Sequence, residues 1–272
     1  MLKQRVMTAV ILLPLIVAAI LLLPTAAFSI VALVPLVVIG GFEWARLARL
    51  EQLHWQIAYV AVLLLIVASI YYFQSDIGST VLVLALTCQV VIFSALVMYQ
   101  QGGRFYQSYP LIFIMLGLIV LPSAWWLMTV LHGSSAHWVL FLILLTVIAD
   151  TSAYFSGKAF GTTKLAPELS PGKTHAGMYG ALLGGLIWSL IGIWFFNIAI
   201  SFWLYFVLLN LIVVIISIAG DLFISMMKRE ANMKDTGQLL PGHGGILDRI
   251  DSLLAAVVVF SAGLIWSGLV AN

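Results

Sequence analysis

Asp221-Leu-Phe-Ile-Ser225-Met-Met-Lys228-Arg229-Glu230-Ala-Asn-Met-Lys234-Asp235-Thr236-Gly237-Gln-Leu-Leu-Pro241-Gly242-His243-Gly244-Gly245-Ile-Leu-Asp248-Arg249-Ile-Asp251 is the stretch that decides how this chain is read. The 272-residue sequence has 12 Lys and Arg and 10 Asp and Glu, and nine of these fall in the 31 positions quoted. Almost everything around them is apolar: the whole sequence is 63% hydrophobic and 8% charged. A soluble domain is about one quarter charged, so this composition excludes one and implies a polytopic membrane bundle. Charge is costly beside lipid, and where it concentrates chemistry is expected. The net charge of +2 gives no reason to expect nucleic acid as a partner. The single cysteine, Cys88, cannot form an internal disulfide and reads as a small buried hydrophobe within an apolar run.

A helix that crosses a bilayer needs about 20 apolar residues. On that measure the apolar runs predict nine spans, at 6–23, 26–42, 57–74, 78–99, 108–130, 137–157, 175–196, 200–227 and 252–271. Pro110 and Pro122 make 105–130 the run most open to a break. The first run follows Lys3 and Arg5 but is longer than a signal-peptide core and precedes further spans, so it reads as a retained helix. With the N-terminus in the cytoplasm, all 12 Lys and Arg fall in 1–5, 43–56, 100–107, 158–174 and 228–251. The opposite side has Asp76, His132 and His137 and no Lys or Arg, as the positive-inside rule predicts. The expectation is an all-α membrane protein of about nine transmembrane helices, multi-pass in the inner (plasma) membrane. Tyr71, Tyr72, Trp125 and Trp126 suit aromatic belts at the interfaces.

The charge pattern divides the chain near residue 130. Residues 1–130 read as a scaffold of transmembrane helices; within it, Glu43, Arg46, Arg49 and Glu51 read as a solvated loop facing the headgroups. Residues 131–272 read as the catalytic region, with cytoplasmic loops 158–174 and 228–251.

Asp150 lies inside an apolar run, with Tyr154 and Gly157 on the same helical face at i+4 and i+7. It reads either as lining a polar cavity or as an interhelical hydrogen bond. The next loop carries Lys158, Lys164, Ser170, Lys173, Thr174 and His175. Gly172-Lys173-Thr174 shares three letters with a P-loop, but that motif needs a glycine at 167, where this chain has proline, and a preceding strand. What remains is a lysine-rich, hydroxyl-bearing segment at a helix start, a setting that suits phosphate. Asp221, Ser225, Lys228 and Arg229 share one face at i, i+4, i+7 and i+8. Gly237, Gly242, Gly244 and Gly245 let backbone amides approach an anion closely. Asp248 and Asp251 open the last helix, Asp248 as a candidate N-cap. With Asp221 they form a carboxylate set suited to Mg²⁺, which takes one or two carboxylates plus substrate phosphates. Together these features point to phosphate-transfer chemistry at the cytoplasmic face. Spacing and composition do not name the phosphate compound.

Residues 225–251, as Ser225-x2-Lys228-Arg229-x4-Lys234-Asp235-x-Gly237-x3-Pro241-Gly242-His243-Gly244-Gly245-x2-Asp248-Arg249-x-Asp251, resemble the signature of the bacterial phosphatidate cytidylyltransferases, or CDP-diacylglycerol synthases. Asp150-Thr-x-Ala-Tyr154 and Ser170-Pro171-x-Lys173-Thr174 also resemble family segments. The resemblance covers about 150–251, and the first 130 residues match only in being membrane helices. It implies that CTP and phosphatidate give CDP-diacylglycerol and pyrophosphate, with Mg²⁺, a K⁺ ion beside it, and a homodimer in the lipid bilayer. Asp221 and Asp248 resemble the family's metal-binding aspartates, with Asp251 as a third ligand or supporting partner. Asp221, Asp248, Lys228, Arg229 and Lys234 are the expected catalytic set. Asp150, Tyr154, Lys164, Ser170, Lys173, Thr174, Ser225, Asp235, His243, Gly244, Gly245 and Arg249 are the expected substrate-binding set. A CTP-dependent lipid-alcohol kinase and an ion-coupled transporter using Asp150 and Asp221 are the alternatives.

Overall fold

The computed structural model describes residues 2–103, 109–237 and 244–270, with side chains from Val10 onward except that of Ile11. The element order is α1 (Leu2–Leu22), α2 (Thr25–Leu47), α3 (Leu53–Gln100), α4 (Pro110–Ser134), α5 (Ala136–Phe160), β1 (Lys164–Ala166), β2 (Ser170–Thr174), α6 (His175–Phe195), α7 (Trp203–Glu230) and α8 (Leu247–Trp266). Among the described residues, seven helices are long and apolar enough to cross a membrane. The architecture is an all-α membrane bundle with one small hairpin.

Several proline effects are local. Pro35 sits in a π-helical turn, Val34–Ile39, within α2, where its missing N–H and its ring disturb the regular ladder. Pro110 occupies the first turn of α4, where no donor is needed, and Pro122 lies inside α4 without ending it. The run 105–130 therefore holds one helix over its described part. α3 has 48 residues and a non-helical Phe73 (φ −112°, ψ 16°). At 1.5 Å per residue that is about 72 Å, more than twice a hydrocarbon core of about 30 Å.

Two helix pairs frame the site. α5 and α6 pack through small residues: a Cβ on Gly180 would meet Ser156 Oγ and, at 2.8 Å, the Ser152 carbonyl, and one on Gly177 would meet the Ala153 carbonyl at 3.0 Å. α7 and α8 meet at Gly220, where a Cβ would lie 2.7 Å from Ala255 Cβ and 2.8 Å from the Asp251 carbonyl. An aromatic group holds α2 against both α4 and α7. Phe223 lies 5.9 Å from Phe113 and 6.2 Å from Trp44, and Trp44 Nε1 donates to the Phe113 carbonyl at 2.8 Å.

Four sequence expectations are corrected. The loop 158–174 contains an antiparallel hairpin, pairing Lys164 with Thr174 and Ala166 with Ser170. Its short strands carry Lys, Pro and Gly and lack the apolar alternation that marks a strand. Trp125 and Trp126 are buried at 4% and 3% exposure rather than lying in an interfacial belt. Trp125 Nε1 donates to the Ser29 carbonyl at 2.8 Å, so the indole ties α4 to α2. Glu43 and Arg46 lie inside α2, which runs on to Leu47, rather than in a loop. α8 begins at Leu247, earlier than the predicted 252, which places Asp248 and Asp251 on its first turns.

Candidate active site

The hairpin turns the chain back so that β2 leads directly into α6. Thr174 caps that helix, its Oγ1 accepting from Gly177 N at 3.1 Å. Lys173, the residue before the cap, is thereby aimed at α7. Its Nζ lies 2.7 Å from Asp221 Oδ2 and 3.4 Å from the Ile218 carbonyl. Ser225, one turn on from Asp221, donates to Asp221 Oδ1 at 3.4 Å.

A second pair lies at the far end of α7. Lys228 Nζ is 2.6 Å from Asp248 Oδ1 across the gap between α7 and α8. Asp248 Oδ2 accepts from Thr236 N at 2.8 Å, Gly245 N at 3.0 Å and Thr236 Oγ1 at 3.1 Å. Asp248 therefore does not cap its own helix, whose N-cap is Ile246. It reaches back and ties both ends of the glycine-rich segment. Gly244 has φ +80°, a left-handed conformation that favours glycine, and a Cβ there would also sit 2.9 Å from Asp248 Oδ2 and 3.5 Å from Asp235 Oδ1.

The remaining expected residues divide clearly. Asp251 feels the charges of Asp221, Lys173 and Lys228, and its Oδ1 accepts from Ser252 N at 2.8 Å. Asp150 feels Asp221 and Lys173, so it belongs to the same cluster, on the exposed side of α5. Tyr154 is exposed with Lys158 Nζ 5.9 Å from its ring centre. Lys164, Arg229, Lys234, Asp235 and Arg249 are exposed, and Ser170 is half-buried. His243 lies outside the described residues.

Two residues of the site were not singled out from sequence. Glu43, in α2, is 1% exposed, and its carboxylate accepts from Thr236 Oγ1 at 2.7 Å, Leu247 N at 2.8 Å and Ile246 N at 3.0 Å. Thr236, fully buried, stands between Glu43 and Asp248. The signal for Glu43 was its position. A carboxylate near the C-terminal end of an apolar helix is opposed by the helix dipole and needs another reason to be there.

The donor chemistry suits Mg²⁺ together with phosphate. No group of three or more metal-ligating side chains stands ready among the described residues, but Mg²⁺ is held by one or two carboxylates and completes its shell with water and substrate oxygens. Asp221, with its side chain 28% exposed and one oxygen bonded by Ser225 at 3.4 Å, can supply such a ligand.

The sequence matches the cytidylyltransferase family model over residues 3–266. The chain belongs to the cytidylyltransferase family. It is 39% identical over 98% of both chains to a phosphatidate cytidylyltransferase of Pseudomonas aeruginosa. It is 34% identical to one of Haemophilus influenzae, over 96% of this chain and 98% of the relative. A Synechocystis phosphatidate cytidylyltransferase is 44% identical over 43% of this chain and 38% of its own length. The cytidylyltransferase match takes in α2 with Glu43 as well as the signature segment, so both halves of the site lie within it.

Proposed function

We propose that this chain transfers the cytidylyl group of CTP to phosphatidate in phospholipid synthesis, yielding CDP-diacylglycerol and pyrophosphate. The observation that carries the reading is the convergence of two lysine–aspartate pairs, Lys173–Asp221 and Lys228–Asp248, on the two ends of one helical face. A phosphate oxygen of phosphatidate attacks the α-phosphorus of CTP, the bond to the β-phosphate oxygen breaks, and pyrophosphate leaves. The second pKa of a phosphate monoester is about 6, so near neutral pH the nucleophile is already largely a dianion. No side chain need remove a proton, and His243 then serves to hold phosphate.

An ammonium has three donors. Lys173 directs two at Asp221 and the Ile218 carbonyl, and Lys228 directs one at Asp248, leaving donors on each for phosphate oxygens. Arg229, Lys234 and Arg249, on the exposed rim, add charge for the triphosphate and the lipid phosphate. Asp221, Asp248 and Asp251 would hold Mg²⁺, with K⁺ beside it, and the bound cation supplies neutralisation of the phosphate charge. Asp150 and Tyr154 face the side from which a lipid would enter with its tails still in the bilayer.

The break at Phe73 and the length of α3 support two crossings by that helix, and with α1 the count becomes nine. The one-sided distribution of Lys and Arg supports a cytoplasmic N-terminus and active site in the inner membrane. A homodimer is part of the same proposal.

The test is turnover in detergent micelles with phosphatidate, radiolabelled CTP and Mg²⁺, with and without chelator. Label entering the lipid phase only with metal, alongside equimolar pyrophosphate, is the expected result. Release of CDP would replace this reading with a lipid-alcohol kinase. No labelled lipid from folded protein would end it.

A further inference from the structure

Glu43 is separated from the residues it contacts by roughly two hundred positions, yet it holds both ends of the glycine-rich segment. Its Oε1 accepts from Ile246 N, and its Oε2 accepts from Leu247 N and Thr236 Oγ1. Gly237 and Gly245 lie against the same carboxylate, and a Cβ on Gly245 would overlap Thr236 Oγ1 and lie 2.6 Å from Glu43 Oε1. The residues on either side, Thr236 and Gly237 before and Gly245 to Leu247 after, therefore meet at Glu43. Glu43 is itself fixed by its neighbour Trp44, whose indole is bonded to α4 and packed on Phe223 of α7. The Thr236 hydroxyl lies 2.7 Å from Glu43 and 3.1 Å from Asp248, and its one proton can serve one carboxylate at a time. The two carboxylates are thus coupled through a single hydroxyl.

We infer that Glu43 is a positioning residue for the reaction: it clamps Thr236 to Ile246 and Leu247 and, through Thr236, sets the place of the Asp248 carboxylate opposite Lys228. This rests on the cytidylyl-transfer reading for what Asp248 does, but the clamp itself rests on the contacts. The N-terminal helices then contribute to the site directly as well as supporting it. Glutamine at 43 would keep the volume but turn an NH₂ group towards a backbone N–H or the Thr236 hydroxyl. Valine at 236 would keep the shape and remove the link.

The experiment is amide hydrogen exchange and steady-state kinetics on the full-length protein, for Glu43→Gln, Thr236→Val and the double variant. Exchange at Thr236, Gly245, Ile246 and Leu247 is expected to accelerate by roughly 10- to 100-fold, as for loss of bonds to a charged group. In Glu43→Gln, kcat should fall with the KM for phosphatidate nearly unchanged, and the Mg²⁺ concentration for half-maximal rate should rise. The double variant should be no worse than Glu43→Gln alone, since Thr236→Val cuts only the hydroxyl link, which Glu43→Gln already disturbs. Loosened exchange with unchanged kcat and Mg²⁺ dependence would reduce Glu43 to a structural pin, and unchanged exchange would remove the clamp. If Glu43→Gln does not fold, Thr236→Val gives the kcat and Mg²⁺ readouts and the exchange at residue 236 and Gly245. Loosened exchange in the variants, together with a wild-type enzyme that fails to use phosphatidate, would overturn the substrate reading and leave the clamp standing.

Discussion

Lys173, on the second strand of the hairpin, reaches Asp221 in α7 at 2.7 Å, and that contact links the 158–174 segment to the signature segment. The two side chains are 23% and 28% exposed, so solvent screens the pair and its contribution to stability is about 1 kcal/mol at most. In the proposed reaction its value lies in fixing a cation beside a carboxylate where phosphate would bind. Lys173→Met should therefore cost roughly 100-fold or more in kcat/KM, the scale of losing one preorganised charge donor. Thermal melting should move by only a few degrees. Lys173→Met with near-normal turnover would place the phosphate contacts elsewhere.

The Lys228–Asp248 pair should behave differently, because Asp248 is more deeply placed, at 7% side-chain exposure, and its second oxygen accepts two backbone N–H bonds and shares the Thr236 hydroxyl with Glu43. Asp248→Asn would set an amide NH₂ against N–H groups that now point at an acceptor. Removing one partner from a buried pair costs about 3–5 kcal/mol, and partial exposure here argues for the lower end. Lys228→Met leaves the carboxylate with its Thr236 and Gly245 donors and should destabilise less. Denaturant melts of the two variants test the order; if Lys228→Met were the less stable, the loop contacts of Asp248 would matter less than the ion pair.

Much of this site was legible in the sequence, and the reason is local. Asp221, Ser225 and Lys228 share a face because helical spacing puts them there, and Asp221–Ser225 is an observed hydrogen bond. The distant partners were not legible. Nothing in residues 40–56 indicates that Glu43 will meet Thr236 and Leu247, because that contact depends on how the end of α2 packs beside the start of α8. Trp125 and Trp126 failed as belt residues for a related reason. Hydropathy detects an aromatic residue near a helix end but not whether another helix covers it, and α2 does so here.

The α5–α6 contact makes a prediction about Gly180. A valine there would place its Cβ against Ser156 Oγ and 2.8 Å from the backbone carbonyl of Ser152, which cannot swing aside. The helices would separate, moving Asp150 relative to Lys173 and lowering stability by roughly 1–3 kcal/mol. Gly172→Ala is the matched control, because its Cβ would meet nothing within 4 Å. Equal melting temperatures for Gly180→Val and the native chain would show that the two helices do not need this close approach.

Membrane topology offers a test that needs no turnover. Cys88 is the chain's single cysteine and is buried, so Cys88→Ala gives a background for introducing one reporter thiol at a time. In that background Asp76→Cys, just after the break in α3 at Phe73, should react with a membrane-impermeant maleimide from outside intact cells. Glu168→Cys, on the exposed hairpin turn, and Asp235→Cys, beside the glycine-rich segment, should react only after the membrane is opened. If α3 crossed once, Asp76 would lie within the bilayer and stay unlabelled under both conditions. Labelling of Glu168→Cys from outside would invert the bundle and put the Lys173–Asp221 site on the wrong side for cytoplasmic CTP.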